Sequence, residues 1–298
     1  MEFEERFGTE EACREYLFKL RWPDGFRCPH CGHERYWLTG RRLYHCVGCE
    51  RDTSLTAGTV FRGTRKPLQL WFRAMWYVVG QKHGVSALGL QSVLGLKRYE
   101  TVWIWLHKLR TAMVRPGRDR LSGLVEVDET FVGGRKHGKR GRGAKGKTLV
   151  VIAAEDKREH IGRIRLTRVA DGSAASLVPA LKANIAPGST IRTDDWQGYK
   201  GLAKEPYQHI IVRQSASVGE DLMPLANRVA ALLKRWLMGT HQGAVRPSHL
   251  DYYLDEFTFR FNRRTSRSRG KLFYRLMQQA VEVTPVTASE IRGGNTSP

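Results

Sequence analysis

A chain of 298 residues is long enough to bury two or three separate cores. Its 50 Lys and Arg against 29 Asp and Glu leave a formal net charge of +21, which excludes an acidic binding module and predicts a polyanionic partner held in a salt-dependent way. No apolar run approaches the ~20 residues of a membrane helix, and the acidic start Met1-Glu2-Phe3-Glu4-Glu5-Arg6 lacks the basic and apolar regions of a signal peptide, so a cytoplasmic, reducing location is expected.

Residues 9 to 20 read as an amphipathic helix with Thr9 as N-cap, Glu10 and Glu11 in the first turn, and Tyr16, Leu17 and Leu20 on one face. Cys13, inside it, reads as a small core residue. Cys28-Pro29-His30-Cys31 and Cys46-Val47-Gly48-Cys49 then form a CxxC pair with fourteen residues between. Each CxxC makes one knuckle, and two knuckles supply the four thiolates of a tetrahedral zinc site, so Cys28, Cys31, Cys46 and Cys49 are the expected zinc ligands and His30, His33 and His45 are spare. Between the knuckles, 35–38 and 41–45 read as a hairpin around Thr39-Gly40. Residues 1–60 are therefore expected to be a helix plus zinc ribbon.

Residues 61–116 read as a helical DNA-binding region. Trp71, Phe72, Met75, Trp76 and Val79 recur at helical spacing between Leu68 and Val79. A short helix over 85–96, a glycine turn and a second helix over 99–113 have the spacing of a helix-turn-helix, an ordinary helical hairpin being the other reading. Lys97, Arg98, Lys108 and Arg110 are the cations expected on phosphates, with Trp103, Leu106 and Leu109 facing inward. Residues 114–118 read as a linker.

Leu124-Val125-Glu126-Val127-Asp128-Glu129-Thr130 reads as a short strand that ends by presenting carboxylates. Thr190-Ile191-Arg192-Thr193-Asp194-Asp195 repeats the design. Two such strands side by side would converge their acids into a magnesium site, since that hard cation takes oxygen ligands and suits phosphoryl chemistry. Residues 135 to 147 hold seven Lys or Arg (Arg135, Lys136, Lys139, Arg140, Arg142, Lys145 and Lys147) and four Gly, a basic loop that cannot bury a core and is placed to grip phosphates. Strands over 148–154, 161–169 and 209–212 with a helix over 174–185 complete a mixed α/β sheet with helices on its faces. On the next helix Asn227 and Lys234 are seven residues apart, hence on one face and about 10 Å apart along the axis, with Arg235 beside them. A helix over 247–262 carries the stripe Leu250, Tyr253, Leu254, Phe257 and Phe261, and Arg260, Arg263, Arg264, Arg267, Arg269 and Lys271 give a second basic cluster. Residues 285 to 298 read as frayed.

Zinc ribbon, helix-turn-helix, Val-Glu-Val-Asp-Glu-Thr-Phe-Val-Gly-Gly (125–134), Thr193-Asp194-Asp195-Trp196-Gln197-Gly198-Tyr199, and Leu232-Leu233-Lys234-Arg235 followed by Gly239-Thr240-His241 together resemble the zinc-ribbon DDE-type insertion-sequence transposases of the Merlin-related superfamily. The resemblance implies a multidomain α/β chain with an RNase H-like mixed α/β catalytic domain over 120–282 and a flexible tail over 283–298. It implies catalysis with Mg2+ or Mn2+ beside the structural Zn2+. By position, Asp128 matches the first catalytic acid, Asp194 the second, Asn227 the third metal ligand in place of an acid, and Lys234 the lysine seven residues on. Glu220 or Asp221, shortly before that helix, could instead contribute a carboxylate. The implied activity is binding of an element's terminal inverted repeats, then strand cleavage and transfer into target DNA, by a homodimer or higher oligomer on the nucleoid. A silenced DNA-binding protein and a junction nuclease of the same fold are the alternatives.

Overall fold

The computed structural model describes residues 2–115, 117–133, 147–213, 221–243 and 245–294. In chain order the elements are α1 (Glu2–Phe7), α2 (Glu10–Arg21), β1 (Tyr36–Leu38), β2 (Tyr44–Cys46), β3 (Asp52–Thr53), α3 (Leu68–Gly80), α4 (Ala87–Leu94), α5 (Tyr99–Thr111), β4 (Leu124–Val132), β5 (Thr148–Asp156), β6 (Ile161–Val169), α6 (Ala174–Asn184), β7 (Thr190–Thr193), β8 (Gln208–Ile211), α7 (Pro224–His241), α8 (Leu250–Asn262), α9 (Arg269–Glu282) and α10 (Ala288–Gly293). They form two compact units, Met1–Pro116 with Ser266–Ile291 and Gly117–Thr265 with Arg292–Pro298. Among the described residues no helix is long and apolar enough to cross a membrane.

In the first unit Thr9 caps α2 as expected, its hydroxyl accepting from the Ala12 amide at 3.2 Å. The Glu10 carboxylate accepts from the amides of Leu68 and Gln69 at 3.0 and 3.2 Å, so an acid of α2 satisfies the otherwise partnerless first turn of α3. The strands β1, β2 and β3 form a small antiparallel sheet. Ser86 caps α4, and Gly95 ends it with φ of 62°, a left-handed conformation that favours glycine, before α5 begins. The α9 segment, taken with the later domain in the sequence reading, instead joins this unit. Phe273 is 3% exposed and meets Phe3, Phe7, Phe72 and Trp76 with ring centroids 5.5 to 5.8 Å apart. Aromatic burial of that size outweighs the basic surface of the same helix. The tail also differs from expectation. Thr287 and Glu290 cap each other's backbone amides and Ile291 is fully buried, so 288–293 form a helix rather than a frayed end.

The second unit is a five-stranded mixed sheet in the order β6-β5-β4-β7-β8, antiparallel through β6, β5 and β4 and parallel from β4 to β7 and β8. That is the multidomain α/β, RNase H-like architecture the resemblance implied. Both faces are covered, which is why β5 reads as a continuous apolar run. On one face Val125, Val127, Val151 and Ala153 pack against Leu177, Leu181, Tyr199 and Leu202. On the other, Val150, Ile152 and Ala154 pack against Val229 and Leu233 of α7 and Leu254 and Phe257 of α8. Because strand side chains alternate, Val125 and Val127 turned to α6 leave Glu126 and Asp128 turned to α7. The β4 strand does not stop at its acids but runs to Val132, so Asp128 lies mid-strand.

Candidate active site and zinc centre

The four cysteines come together. Their sulfurs lie within 4.8 Å of one another, with Cys28 to Cys49 at 3.7 Å and Cys31 to Cys46 at 3.6 Å. Tetrahedral zinc with bonds of ~2.3 Å sets its thiolates about 3.8 Å apart, so the set fits the ion without rearrangement. His45 does not join it, because its Nδ1 pairs with Asp52 at 2.8 Å. Cys13 lies apart, fully buried, its thiol pushed up to about 12 by desolvation. Among the described residues no other group of three or more His, Cys, Asp or Glu gathers in this way.

The carboxylates are positioned by strand pairing. The β4 and β7 strands run parallel with Val125 opposite Ile191 and Glu126 opposite Arg192. Continuing that register two residues sets Asp128 level with Asp194, where β7 has ended at Thr193 and no longer fills the space. Each acid is held by local backbone: Asp128 Oδ1 accepts from the Glu129 amide at 2.8 Å, and Asp194 Oδ1 from the Trp196 amide at 3.1 Å. Tyr199, 1% exposed, has its hydroxyl driven well above the usual phenol range by burial and then by Glu129, Asp128 and Asp194. The adjacent acids diverge as the strand pleat requires. Glu129 lies on the α6 side near Gly172, and Asp195 is exposed and paired with Arg213 at 3.0 Å. A cleft of about 660 Å³ lies on the α6 side of the sheet, lined by Phe131, Lys147, Asp171, Trp196 and Gln197, and takes in neither Asp128 nor Asp194.

The α7 helix supplies the third side, and a buried acid that sequence reasoning gave no role holds it there. Glu126 is 0% exposed. Its Oε1 accepts from the amide of Ala226, third residue of α7, at 2.7 Å, and its Oε2 accepts from Arg192 Nη2 at 2.5 Å. Arg192 also reaches Asp156 at 3.4 Å. The carboxylate thus caps the helix from the sheet, where an anion is favoured by the orphan amides and the helix dipole. Asn227 is the next residue, and its Nδ2 donates to Asp221 Oδ1 at 2.6 Å. Two turns on, the Lys234 ammonium is pulled below its ordinary value by desolvation and by Lys147, with Asp128 opposing, so Lys234 lies within the field of both. The signal for Glu126 was present in the sequence: an acid two residues before Asp128 shares its face in an otherwise apolar strand.

Residues 120–262 match the ISXO2-like transposase domain, and residues 8–52 match the transposase zinc-ribbon domain. The chain belongs to the zinc-ribbon DDE-type insertion-sequence transposases. A comparison with curated proteins gives no match. The transposase-domain match begins just before β4 and ends with α8, so it takes in every residue of the sheet and of the acid-bearing site.

The expected DNA-contacting cations divide. Lys97, Arg98, Lys147 and Arg235 are exposed. Lys108 and Arg110 are not, at 9% and 1% exposure, which corrects their assignment to phosphate. The last turns of α5 are buried nearly all round, from Ile104 to Arg110, and Lys108 donates to the Arg62 carbonyl at 2.9 Å. Trp103, expected inside, is only half-buried, while Trp105 stacks on Trp71 with centroids 3.9 Å apart. Arg263 and Arg264 lie over the rings of Phe259 and Phe261 at 4.2 and 4.1 Å, and Arg264 donates to the carbonyls of Ile161 and Phe261, so both fasten the end of α8. Arg135, Lys136, Lys139, Arg140, Arg142 and Lys145, and the alternative acid Glu220, lie outside the described residues.

Proposed function

We propose that this transposase binds the terminal inverted repeats of its element and catalyses metal-dependent strand cleavage followed by strand transfer into double-stranded target DNA. The observation that supports the reading is the register of β4 with β7, in which Glu126 faces Arg192 and whose continuation would set Asp128 level with Asp194, while the Glu126 cap ties α7, bearing Asn227 and Lys234, to the same strand. The two carboxylates and the Asn227 side-chain carbonyl, all of them hard oxygen donors, would hold Mg2+ or Mn2+. Ions held there would supply Lewis-acid stabilisation of the charge that develops on the reacting oxygens.

The chain's own residues do the rest. Lys234, on the same face of α7 as Asn227, takes a non-bridging phosphate oxygen and orients the scissile group for in-line attack. In cleavage, water adds to phosphorus and gives up a proton as the P–O3′ bond breaks, leaving a 3′-hydroxyl and a 5′-phosphate. In transfer, that 3′-hydroxyl attacks a target phosphorus and the target's own P–O3′ bond breaks, so no covalent protein intermediate forms. Lys97 and Arg98, exposed at the start of α5, together with the basic ribbon, read the element's ends. Joining two ends requires two copies of the chain on the DNA.

The test is a cleavage and joining assay on DNA carrying the sequences that flank the gene, in magnesium and then manganese, with Asp128→Ala beside the wild type. Joined products made by the wild type alone support the proposal. Specific binding without cutting or joining supports a silenced DNA-binding protein, and cutting of branched DNA without joining supports a junction nuclease.

A further inference from the structure

We propose that Asp221 is a positioning residue for Asn227, fixing which atom of that amide meets the metal and returning to the site the negative charge that a neutral ligand lacks. The inference rests on the metal-site reading above.

Asn227 is held at both ends. Its backbone amide donates to the Met223 carbonyl at 2.9 Å, and the amide of its neighbour Ala226 is bound by Glu126. Its side chain is bound by Asp221, which also accepts from the Met223 amide at 3.2 Å and so is itself fixed at the entrance to α7. A carboxylate can only accept hydrogen bonds, so only the NH2 of Asn227 can face it. The planar amide then turns its carbonyl oxygen the other way, and that oxygen is the atom a hard cation ligates. Without Asp221 the exposed amide could flip, presenting a nitrogen that binds no magnesium.

The charge argument is independent of the flip. Asp128, Asp194 and Asn227 together carry one negative charge fewer than three acids. A carboxylate hydrogen-bonded to the neutral ligand restores that charge one shell out, and it polarises the amide so that its carbonyl oxygen becomes the stronger donor.

The experiment is a Mn2+ titration of the full-length, zinc-loaded protein followed by the electron paramagnetic resonance of free Mn2+. It needs no catalysis. Asp128→Ala removes the site and serves as the reference. Asp221→Ala is expected to weaken Mn2+ binding by about tenfold, with circular dichroism and DNA binding unchanged. Asp221→Asn, which keeps an acceptor and loses the charge, is expected to lie between Asp221→Ala and wild type. The exchange Asp221→Asn with Asn227→Asp reverses the pair and is expected to restore wild-type affinity. Wild-type affinity in Asp221→Ala, with binding abolished in Asp128→Ala, overturns the inference and leaves the metal site standing. A double variant no tighter than Asp221→Asn also overturns it. Equal binding by wild type and Asp128→Ala overturns the metal site and the inference together.

Discussion

In the zinc ribbon four ligands arrive as two local pairs no more than 21 positions apart, and the strands they join are two or three residues long. The acid site draws instead on β4, β7 and α7, with bonded partners 66 and 100 positions apart in the chain. The contrast separates two ways of making a site. A ribbon this short has no core of its own beyond the aromatic rings of Phe18, Trp22, Phe26, Tyr36 and Tyr44 packed at one end, so the metal organises it. The proposed acid site stands on a sheet buried on both faces and on a helix capped by Glu126, so its scaffold is set by packing and needs no ion.

The largest effect expected from this contrast is the loss of zinc. Chelation, or Cys46→Ser, removes on the order of 10 kcal/mol of metal-linked stability from the ribbon. Amide protection in β1 to β3 should disappear while that of β4 and β5 persists in the same hydrogen-exchange experiment. A ribbon that stays protected breaks the comparison from one side, and a sheet that melts with it breaks it from the other. Next in size is Glu126→Ala, which takes the buried carboxylate from the half-buried Arg192, leaving it only Asp156 at 3.4 Å, and leaves α7 without its cap. A loss of about 3 kcal/mol in urea denaturation is expected from the charged hydrogen bond and the cap together, with zinc content unchanged. A loss below about 1 kcal/mol would show that helix packing alone holds α7.

A smaller effect belongs to Asp255, whose carboxyl is raised to about 7 by burial, with Arg118 opposing and Asp251 adding. An acid raised in the folded state binds its proton more tightly there. Its stabilising contribution is complete below the unfolded value near 3.9 and lost as pH rises to about 7. Asp255→Asn should therefore flatten the pH dependence across that window and gain on the order of 2 kcal/mol at about pH 8. A variant that keeps the slope assigns it to another group. The smallest effect is Lys97→Ala, expected to weaken DNA binding a few-fold and reduce the salt slope by about one, whereas Lys108→Ala should leave the slope untouched. An equal slope change for both would contradict the burial of Lys108.

Much of the fold was legible because its signals are local. Thr9 caps the helix it was expected to cap, the CxxC pairs announce their own geometry, and the β-branched runs over 148–154 and 161–169 became β5 and β6. The candidate ligands Asp128 and Asp194 were legible as acids within or just after β-branched runs, and the parallel pairing of β4 with β7 became known only from the sheet. What sequence could not supply was partner choice at a distance. Glu126 looks like the polar face of an alternating strand until α7 is known to place an amide over it. Lys108 and Arg110 look like surface cations on a helix whose buried face becomes known only once α3 and the Arg62 carbonyl are in place. Phe273 and Leu276 were hidden by the basic residues around them, which drew the helix into a charged cluster rather than a core.

The most direct test of the acid site is anomalous diffraction from crystals of the protein soaked in Mn2+. The account predicts a peak roughly 2–2.5 Å from carboxylate oxygens of Asp128 and Asp194 and from the side-chain carbonyl of Asn227. A peak held by other residues, or an Asn227 amide turned with its nitrogen toward the ion, would contradict it.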